Sequence, residues 1–182
     1  MIAKVIESSK RPLLEAMRAC RMSRMPVQYI VKTWDFREIR LAMKPPVFIP
    51  RPETEQLVSL VLEKCDFQSG GKMRILEVGC GSGAVCLSLL KEAPNADGIS
   101  VTAIDRSSHA CALTMENAIL NDHWRNLRVL HAKVDEEGAV REMTENGPEL
   151  DLGSDPKFEM IVSNPPYVLR KDLMNLAPEI SV

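Results

Sequence analysis

From residue 73 onward, short apolar runs alternate with helix-patterned segments. That alternation confines this part of the chain to a parallel sheet covered by helices, because parallel neighbours need a crossover between them. Met73 to Val78 is predicted as a strand and 79–83 as a glycine-rich turn. Residues 84–91 are predicted as a helix carrying Val85, Leu87, Leu89 and Leu90. A second strand spans 100–104 and is ended by Asp105. A helix follows over 107–121, with Ser107 or Ser108 as N-cap. Residues 127–131 form a third strand, 136–145 a polar helix, and 146–155, rich in Gly, Asp and Pro, a surface loop. Residues 158–163 form a fourth strand, with Asn164-Pro165-Pro166-Tyr167 at its carboxyl end.

The first third reads differently. Residues 1–28 hold six Lys/Arg against two acids. Leu13, Leu14, Met17 and Cys20, with Arg18, Arg21 and Arg24, fit a short amphipathic helix, read as the tail of a helical element. The segment lacks the acid-free, Ser-rich character of a transit peptide and the apolar core of a secretion signal. Trp34, Phe36, Ile39, Leu41 and Met43 then alternate with polar residues. Pro45-Pro46 interrupts the run and Val47-Phe48-Ile49 resumes it, so a hairpin or a pair of short strands is expected. A helix should start at Pro52, where Glu53 and Glu55 suit the positive end of the dipole and Leu57, Val58, Val61 and Leu62 supply an apolar face.

Composition narrows the function. The 182 residues suffice for one ordinary domain. No apolar run reaches the roughly 18 residues that suggest a membrane span. A net charge of −2 and 4% aromatic residues argue against a basic, stacking surface for nucleic acid. The five cysteines, at 20, 65, 80, 86 and 111, include no C-x-x-C pair and accompany three His. They read as small buried residues in a reducing compartment, with no disulfide framework and no metal site. Cys80, inside the glycine loop, is the one placed to lie near a ligand.

Two segments carry chemistry. Glu77-Val78-Gly79-Cys80-Gly81-Ser82-Gly83 joins a strand to a helix, and Gly79 and Gly81 let the backbone approach a ligand closely. Asp105 ends the next strand 22 residues after Gly83, where a doubly wound sheet puts a carboxylate beside a ribose. The loop reads G-x-G-x-G rather than the G-x-G-x-x-G of dinucleotide sites. Glu77 would repel a pyrophosphate but suits the sulfonium and ammonium of S-adenosylmethionine (AdoMet). The plainer reading is a glycine-rich turn with Asp105 as a helix cap. The second segment, Asn164-Pro165-Pro166-Tyr167, falls on the same carboxyl rim. An amide nitrogen is a poor nucleophile, so a methylating site must hold its NH₂ by acceptors alone. Asn164 and Pro165 offer carbonyls, Pro165 and Pro166 stiffen the turn, and Tyr167 offers a flat face. The plainer reading here is a proline-rich turn.

With these motifs the chain resembles the HemK/PrmC family of protein-(glutamine-N5) methyltransferases. The resemblance rests on Pro26-Val27-Gln28-Tyr29-Ile30, on Phe48-Ile49-Pro50-Arg51-Pro52-Glu53-Thr54-Glu55, on the Glu77–Gly83 loop and on Ser163-Asn164-Pro165-Pro166-Tyr167. Trp34-Asp35-Phe36 and Pro45-Pro46-Val47-Phe48 look most like the mitochondrial animal branch, which implies a mitochondrial location, otherwise a cytoplasmic one. The resemblance implies a Rossmann-like class I AdoMet-dependent α/β fold, doubly wound and preceded by a short helix and β-hairpin. It implies AdoMet as cofactor, bound by Glu77, Gly79, Cys80, Gly81, Ser82, Gly83, Asp105 and Asn164. Asn164, Pro165, Pro166 and Tyr167 would bind the substrate glutamine, with Asn164, Pro165 and Tyr167 catalytic. Residues 50–55 would wall the cofactor cleft. The substrate implied is the Gly-Gly-Gln motif of a class I peptide chain release factor, acted on by a monomer with no direct nucleic-acid or membrane contact.

The chain departs from that family in two ways. An acid is expected beside the adenine after the third strand, and Lys133 stands near that place, with Asp135 two residues on. The sheet is also expected to be incomplete at its C-terminus, with about four of seven strands. On this reading residues 1–32 are the remnant of a helical recognition domain, 33–50 a hairpin linker and 51–182 a truncated methyltransferase domain. Two alternatives stay open. One is an adenine-N6-type DNA or RNA methyltransferase, since N-P-P-Y suits any planar NH₂. The other is an inactive truncated isoform.

Overall fold

A computed structural model describes residues 10–65, 67, 72–94, 98–144, 147–150, 152 and 158–165. Helix α1 (Arg11–Met22) carries its basic residues and Leu13 and Leu14 on the surface and buries none of its side chains. Helix α2 (Val27–Val31) is short and ends at Lys32, whose φ of 61° is left-handed. Its buried Tyr29 donates its hydroxyl to Val47 O at 2.7 Å.

Strands β1 (Thr33–Phe36) and β2 (Ile39–Ala42) pair antiparallel around a tight turn at Arg37-Glu38. The hairpin therefore lies wholly within the first apolar run. The expected strand over 47–49 is absent: Val47 N–H instead closes a turn onto Lys44 O at 3.1 Å. Arg37 takes a φ of 48°, strained for a residue with a Cβ. Its side chain offsets that strain. The guanidinium forms a forked ion pair with Glu92, at 2.7 and 2.5 Å, and also donates to Glu55 O and Ser59 Oγ. This one residue ties the hairpin tip to two helices, α3 (Glu53–Lys64) and α4 (Ala84–Glu92). Arg37→Ala should destabilise the fold by about 3 kcal/mol, because it leaves the largely buried Glu92 unpaired. Arg37→Gly should lose somewhat less, since glycine relieves the backbone strain. Denaturant unfolding of both variants measures the difference.

The main sheet has the order β6-β5-β4-β3-β7. Its strands are β3 (Met73–Val78), β4 (Ile99–Asp105), β5 (Leu127–Val134), β6 (Val140–Glu142) and β7 (Met160–Ser163). The first three and β7 run parallel, as the sequence predicts. The chain winds outward from β3 through β4 to β5, then returns to place β7 on the other side of β3. This reversal is the doubly wound, Rossmann-like order.

A fifth strand replaces the expected polar helix over 136–145. Strand β6 folds back antiparallel onto β5. Gly138, at φ 87°, allows the turn. The Asp135 carboxylate accepts the N–H groups of Glu137 and Ala139 and pairs with Arg141. The acids that suggest a solvated helix thus belong to a hairpin.

The principal core joins Phe36, Ile39 and Leu41 of the hairpin to Val58 and Val61 of α3, to Ile75 and Val101 of the sheet, and to α4. Residues 84–90 of α4 are buried on every side, which their predominantly apolar composition, interrupted by Ser88, permits. Helix α5 (Ser108–Leu120) is capped by Ser107, whose hydroxyl accepts the Ala110 N–H, and packs along β5 and β2. The opposite face of the sheet buries Leu76, Ile104, Ala132 and Val140 against Leu150, Leu152 and Phe158. The cysteines are free, but only Cys80 and Cys86 are buried; Cys20, Cys65 and Cys111 are partly exposed. Expecting all five inside overstated their burial, because Cys20 lies on the surface helix α1. No described helix is long and apolar enough to cross a membrane.

Candidate functional site

The winding reverses between β3 and β7, and strand register makes that reversal a site. Val78 pairs with Ile104 on one side and with Ser163 on the other. The next residues, Gly79, Asp105 and Asn164, therefore stand level on three adjacent strands. Together they span about 10 Å, two strand spacings. Open α/β sheets bind ligands at such a crevice.

The loop between β3 and α4 is shaped by its glycines. Gly79, Gly81 and Gly83 have φ of 82°, 56° and 82°. Gly79 N–H donates to Ile104 O at 2.8 Å, and Gly83 N–H to Cys80 O at 2.7 Å. Asp105 ties the loop to β4, accepting Gly81 N–H at 3.0 Å through one oxygen and Ser107 N–H at 2.8 Å through the other. Each oxygen keeps a second lone pair for a ligand hydroxyl. Cys80 and Ser82 are buried, at 4% and 3% exposed.

Two residues on α5 that sequence reasoning missed hold the loop from behind. Thr114 donates its hydroxyl to Gly81 O at 3.1 Å. Asn117 donates to Ser82 O and Ala42 O and accepts Ala42 N–H at 2.6 Å, so one amide joins loop and hairpin. Neither is part of a motif. The only sequence signal is a polar residue on the buried face of a helix.

Glu77 lies beneath the loop, 3% exposed, and accepts Cys86 N–H at 3.1 Å. It thereby caps the first turn of α4, where a phosphate would otherwise sit. Burial raises its carboxyl, the Cys86 hydrogen bond pulls it down and the Asp105 charge raises it, leaving it pushed up to about 7. The folded state therefore holds a proton between the unfolded value, near 4.5, and about 7. Ligand-free protein should lose stability as pH rises through that window, by at most about 1.4 kcal/mol per pH unit. A cationic ligand favours the ionised form, so its affinity should rise from pH 6 to pH 8. Calorimetric titration across that range checks this, and Glu77→Gln should flatten the profile.

Asn164 is exposed at the rim, and its amide N–H₂ donates to Thr54 Oγ1 at 3.0 Å. Thr54 belongs to the first turn of α3, so the Pro50–Glu55 segment and the Asn164-Pro165 turn meet in space. Ser163 secures the turn by donating its hydroxyl to Val78 O at 2.8 Å. Pro166 and Tyr167 lie outside the described residues. Asp135 is committed to the β5–β6 turn, which leaves it unsuited to an adenine contact.

The arrangement fits AdoMet. A Cβ built on Gly79 or Gly81 meets nothing within 4 Å, so there is open space over the loop for a ligand. Asp105 stands beside the loop and the Glu77 carboxylate lies buried beneath it, a pair of acids that would disfavour a pyrophosphate there. Gly79 to Gly83 would hold the ligand by backbone contact and Asp105 would receive its ribose.

Known proteins place the chain. The methyltransferase small domain family matches residues 53–180. The human MTRF1L release factor glutamine methyltransferase is 42% identical over 180 residues, covering 96% of this chain and 49% of the human protein. The release factor glutamine methyltransferase of Lactococcus lactis is 35% identical over 168 residues, covering 92% of this chain and 53% of that protein. The chain thus spans about half the length of these relatives. The type I restriction-modification methyltransferase subunit of Streptococcus thermophilus superposes with a TM-score of 0.49, at 17% identity over 66% of this chain and 23% of that one. With a matching family profile over most of the chain, on a sheet of the expected winding, this chain belongs to the methyltransferase small domain family.

Proposed function

We propose that the chain carries the catalytic site of an AdoMet-dependent protein-(glutamine-N5) methyltransferase. Its substrate is the glutamine of the Gly-Gly-Gln motif in a class I peptide chain release factor. The observation that carries this reading is the Asn164 side chain, standing at the rim level with the glycine loop and hydrogen-bonded to Thr54 of the Pro50–Glu55 segment. The names of the relatives agree with it.

The bound cofactor supplies a methyl group activated on a sulfonium. The chain's residues do the positioning. Asp105 would receive the ribose hydroxyls, and the buried Glu77 beneath the loop would favour the cation through its charge. The Asn164 side-chain oxygen and the Pro165 carbonyl accept hydrogen bonds from the substrate NH₂, and Pro165 has no N–H to compete. Acceptors alone hold both N–H bonds, so the nitrogen lone pair is turned toward the methyl group. Pro166 and Tyr167 would complete the pocket around the planar amide. Such a site works by geometry and electrostatics, without a covalent intermediate.

Residues 1–32 would contribute to substrate recognition, the hairpin over 33–50 would join them to the sheet, and 51–182 would carry transfer. The resemblance of Trp34-Asp35-Phe36 and Pro45-Pro46-Val47-Phe48 to the animal mitochondrial branch supports a mitochondrial location, which fractionation of cells expressing the natural gene product would check. The function is tested by incubating the chain with methyl-labelled AdoMet and either release factor or oligonucleotides. The human relative serves as positive control. Label in release factor alone supports the proposal. Label in the oligonucleotide alone would replace it with an adenine-directed activity.

A further inference from the structure

Methyl transfer as proposed uses no thiol, yet two cysteines meet beside the cofactor loop. Cys80 lies between Gly79 and Gly81, and its sulfur stands 3.3 Å from Thr114 Oγ1 on α5. Cys111 lies one turn before Thr114 on the same helix. Its sulfur is 3.6 Å from Asp105 O and 3.4 Å from Leu130 O. The two thiols are hydrogen-bonded to each other. That contact, together with burial, pushes the Cys80 thiol up, and the same contact pulls Cys111 below the ordinary thiol value. Cys80 is buried, whereas Cys111 is partly exposed. Cys111 is therefore the member that meets a reagent from solvent, and it has the greater thiolate character. Cys80 stands behind it as a second thiol within reach.

We propose that Cys80 and Cys111 are a modification site, oxidised by peroxide to a disulfide that distorts the AdoMet loop and weakens cofactor binding. The Cys111 thiolate attacks one peroxide oxygen and the O–O bond breaks. The leaving hydroxide takes up the proton that Cys111 released, and Cys111 becomes a sulfenic acid. The Cys80 sulfur then attacks the Cys111 sulfur, the S–O bond breaks, and the hydroxide departs as water with the Cys80 proton. Two thiols and one hydrogen peroxide give one disulfide and two waters, with two electrons passing from sulfur to oxygen. The consequence follows from what each sulfur is attached to. Helix α5 is fixed, with Leu113 and Ala118 buried and Asn117 tied to Ala42. The loop has open space over Gly79 and Gly81. Bringing the sulfurs from hydrogen-bond contact to a bond of about 2.0 Å therefore draws Cys80 toward α5. Cys80 N–H donates to Ile104 O at 3.1 Å, Cys80 O accepts Gly83 N–H at 2.7 Å, and the adjacent Gly81 N–H donates to Asp105. The shift disturbs all three, and with them the backbone and carboxylate that face the cofactor. The proposal needs only the cofactor site and holds whichever acceptor is methylated.

The test needs no methyl transfer. The reduced chain is treated with hydrogen peroxide, remaining thiols are blocked by alkylation, and the protein is digested without reductant for tandem mass spectrometry. The expected product is a linked pair of peptides in which fragmentation assigns the bond to Cys80 and Cys111, with Cys86 alkylated. Calorimetric titration of the oxidised chain should show affinity for S-adenosylhomocysteine lowered by about tenfold or more, and dithiothreitol should restore it. By linkage, saturating S-adenosylhomocysteine should disfavour the disulfide by the same factor. Cys111→Ser removes one sulfur and touches no residue placed against the cofactor. Before peroxide its affinity should stay within about twofold of the unaltered chain, and after peroxide it should not change. The proposal is overturned if peroxide oxidises the partly exposed Cys20 while Cys80 and Cys111 remain unlinked. It is also overturned if the disulfide forms and affinity is unchanged, or if Cys111→Ser loses affinity on oxidation as the unaltered chain does. Failure to methylate a release factor would count against the proposed function and leave these outcomes to decide the thiol pair.

Discussion

Asn164→Ala is expected to lower methyl transfer to a release factor by about 100-fold or more, the scale seen when one preorganised polar contact to a reacting group is removed. The folded protein should barely notice. Asn164 is exposed, and its interaction with Thr54 is a single hydrogen bond at the end of a strand. A stability loss below about 1 kcal/mol is expected. S-adenosylhomocysteine should bind as before, because the glycine loop is held by Asp105, Thr114 and Asn117 and owes nothing to Asn164. Transfer lost with binding kept places Asn164 at the acceptor amide. Equal loss of both would make it part of the cofactor cleft.

Two glycine substitutions should fail in opposite ways. Gly81 has a φ of 56° and open space where a Cβ would go. Gly81→Val should leave a folded chain, strained by about 1–2 kcal/mol. Its side chain would occupy the ligand space, so affinity for S-adenosylhomocysteine should fall by about 100-fold, equivalent to roughly 3 kcal/mol. Gly83 is different. A Cβ there would meet Thr114 Cγ2 at 3.1 Å and Leu87 Cδ1 at 3.2 Å, with φ at 82°. Gly83→Ala should therefore destabilise the fold itself by about 2–3 kcal/mol. Unfolding curves and binding isotherms for the two variants separate a loop glycine that faces ligand from one that faces helix α5. Binding retained by Gly81→Val would remove the loop from the site.

These contrasts also show where the sequence was readable. β3, the glycine turn, α4, β4 and α5 were legible because local patterns determine them: an apolar strand, left-handed glycines, a Ser107 cap. The rim placement of Gly79, Asp105 and Asn164 followed from the βαβ order. The 136–145 segment was misread because its acids suit a solvated helix. Gly138 and the Asp135 carboxylate instead make a turn whose partner strand lies immediately before it. Thr54 and Asn117 were invisible for another reason. Their partners lie 110 and 75 positions away, and nothing local distinguishes a threonine in a first helical turn or an asparagine in a helix as a tether. Chemistry located the two halves of the site. Only the fold revealed what braces them.

The most direct test maps the acceptor atom. The chain, AdoMet and a class I release factor are incubated together, and the release factor is digested and sequenced by tandem mass spectrometry, with the human relative run in parallel. The expected result is one added methyl group on the side chain of the Gly-Gly-Gln glutamine, absent when Asn164 is replaced by alanine. An unmodified glutamine, in a sample where the human relative methylates it and this chain binds S-adenosylhomocysteine, would contradict the proposed function.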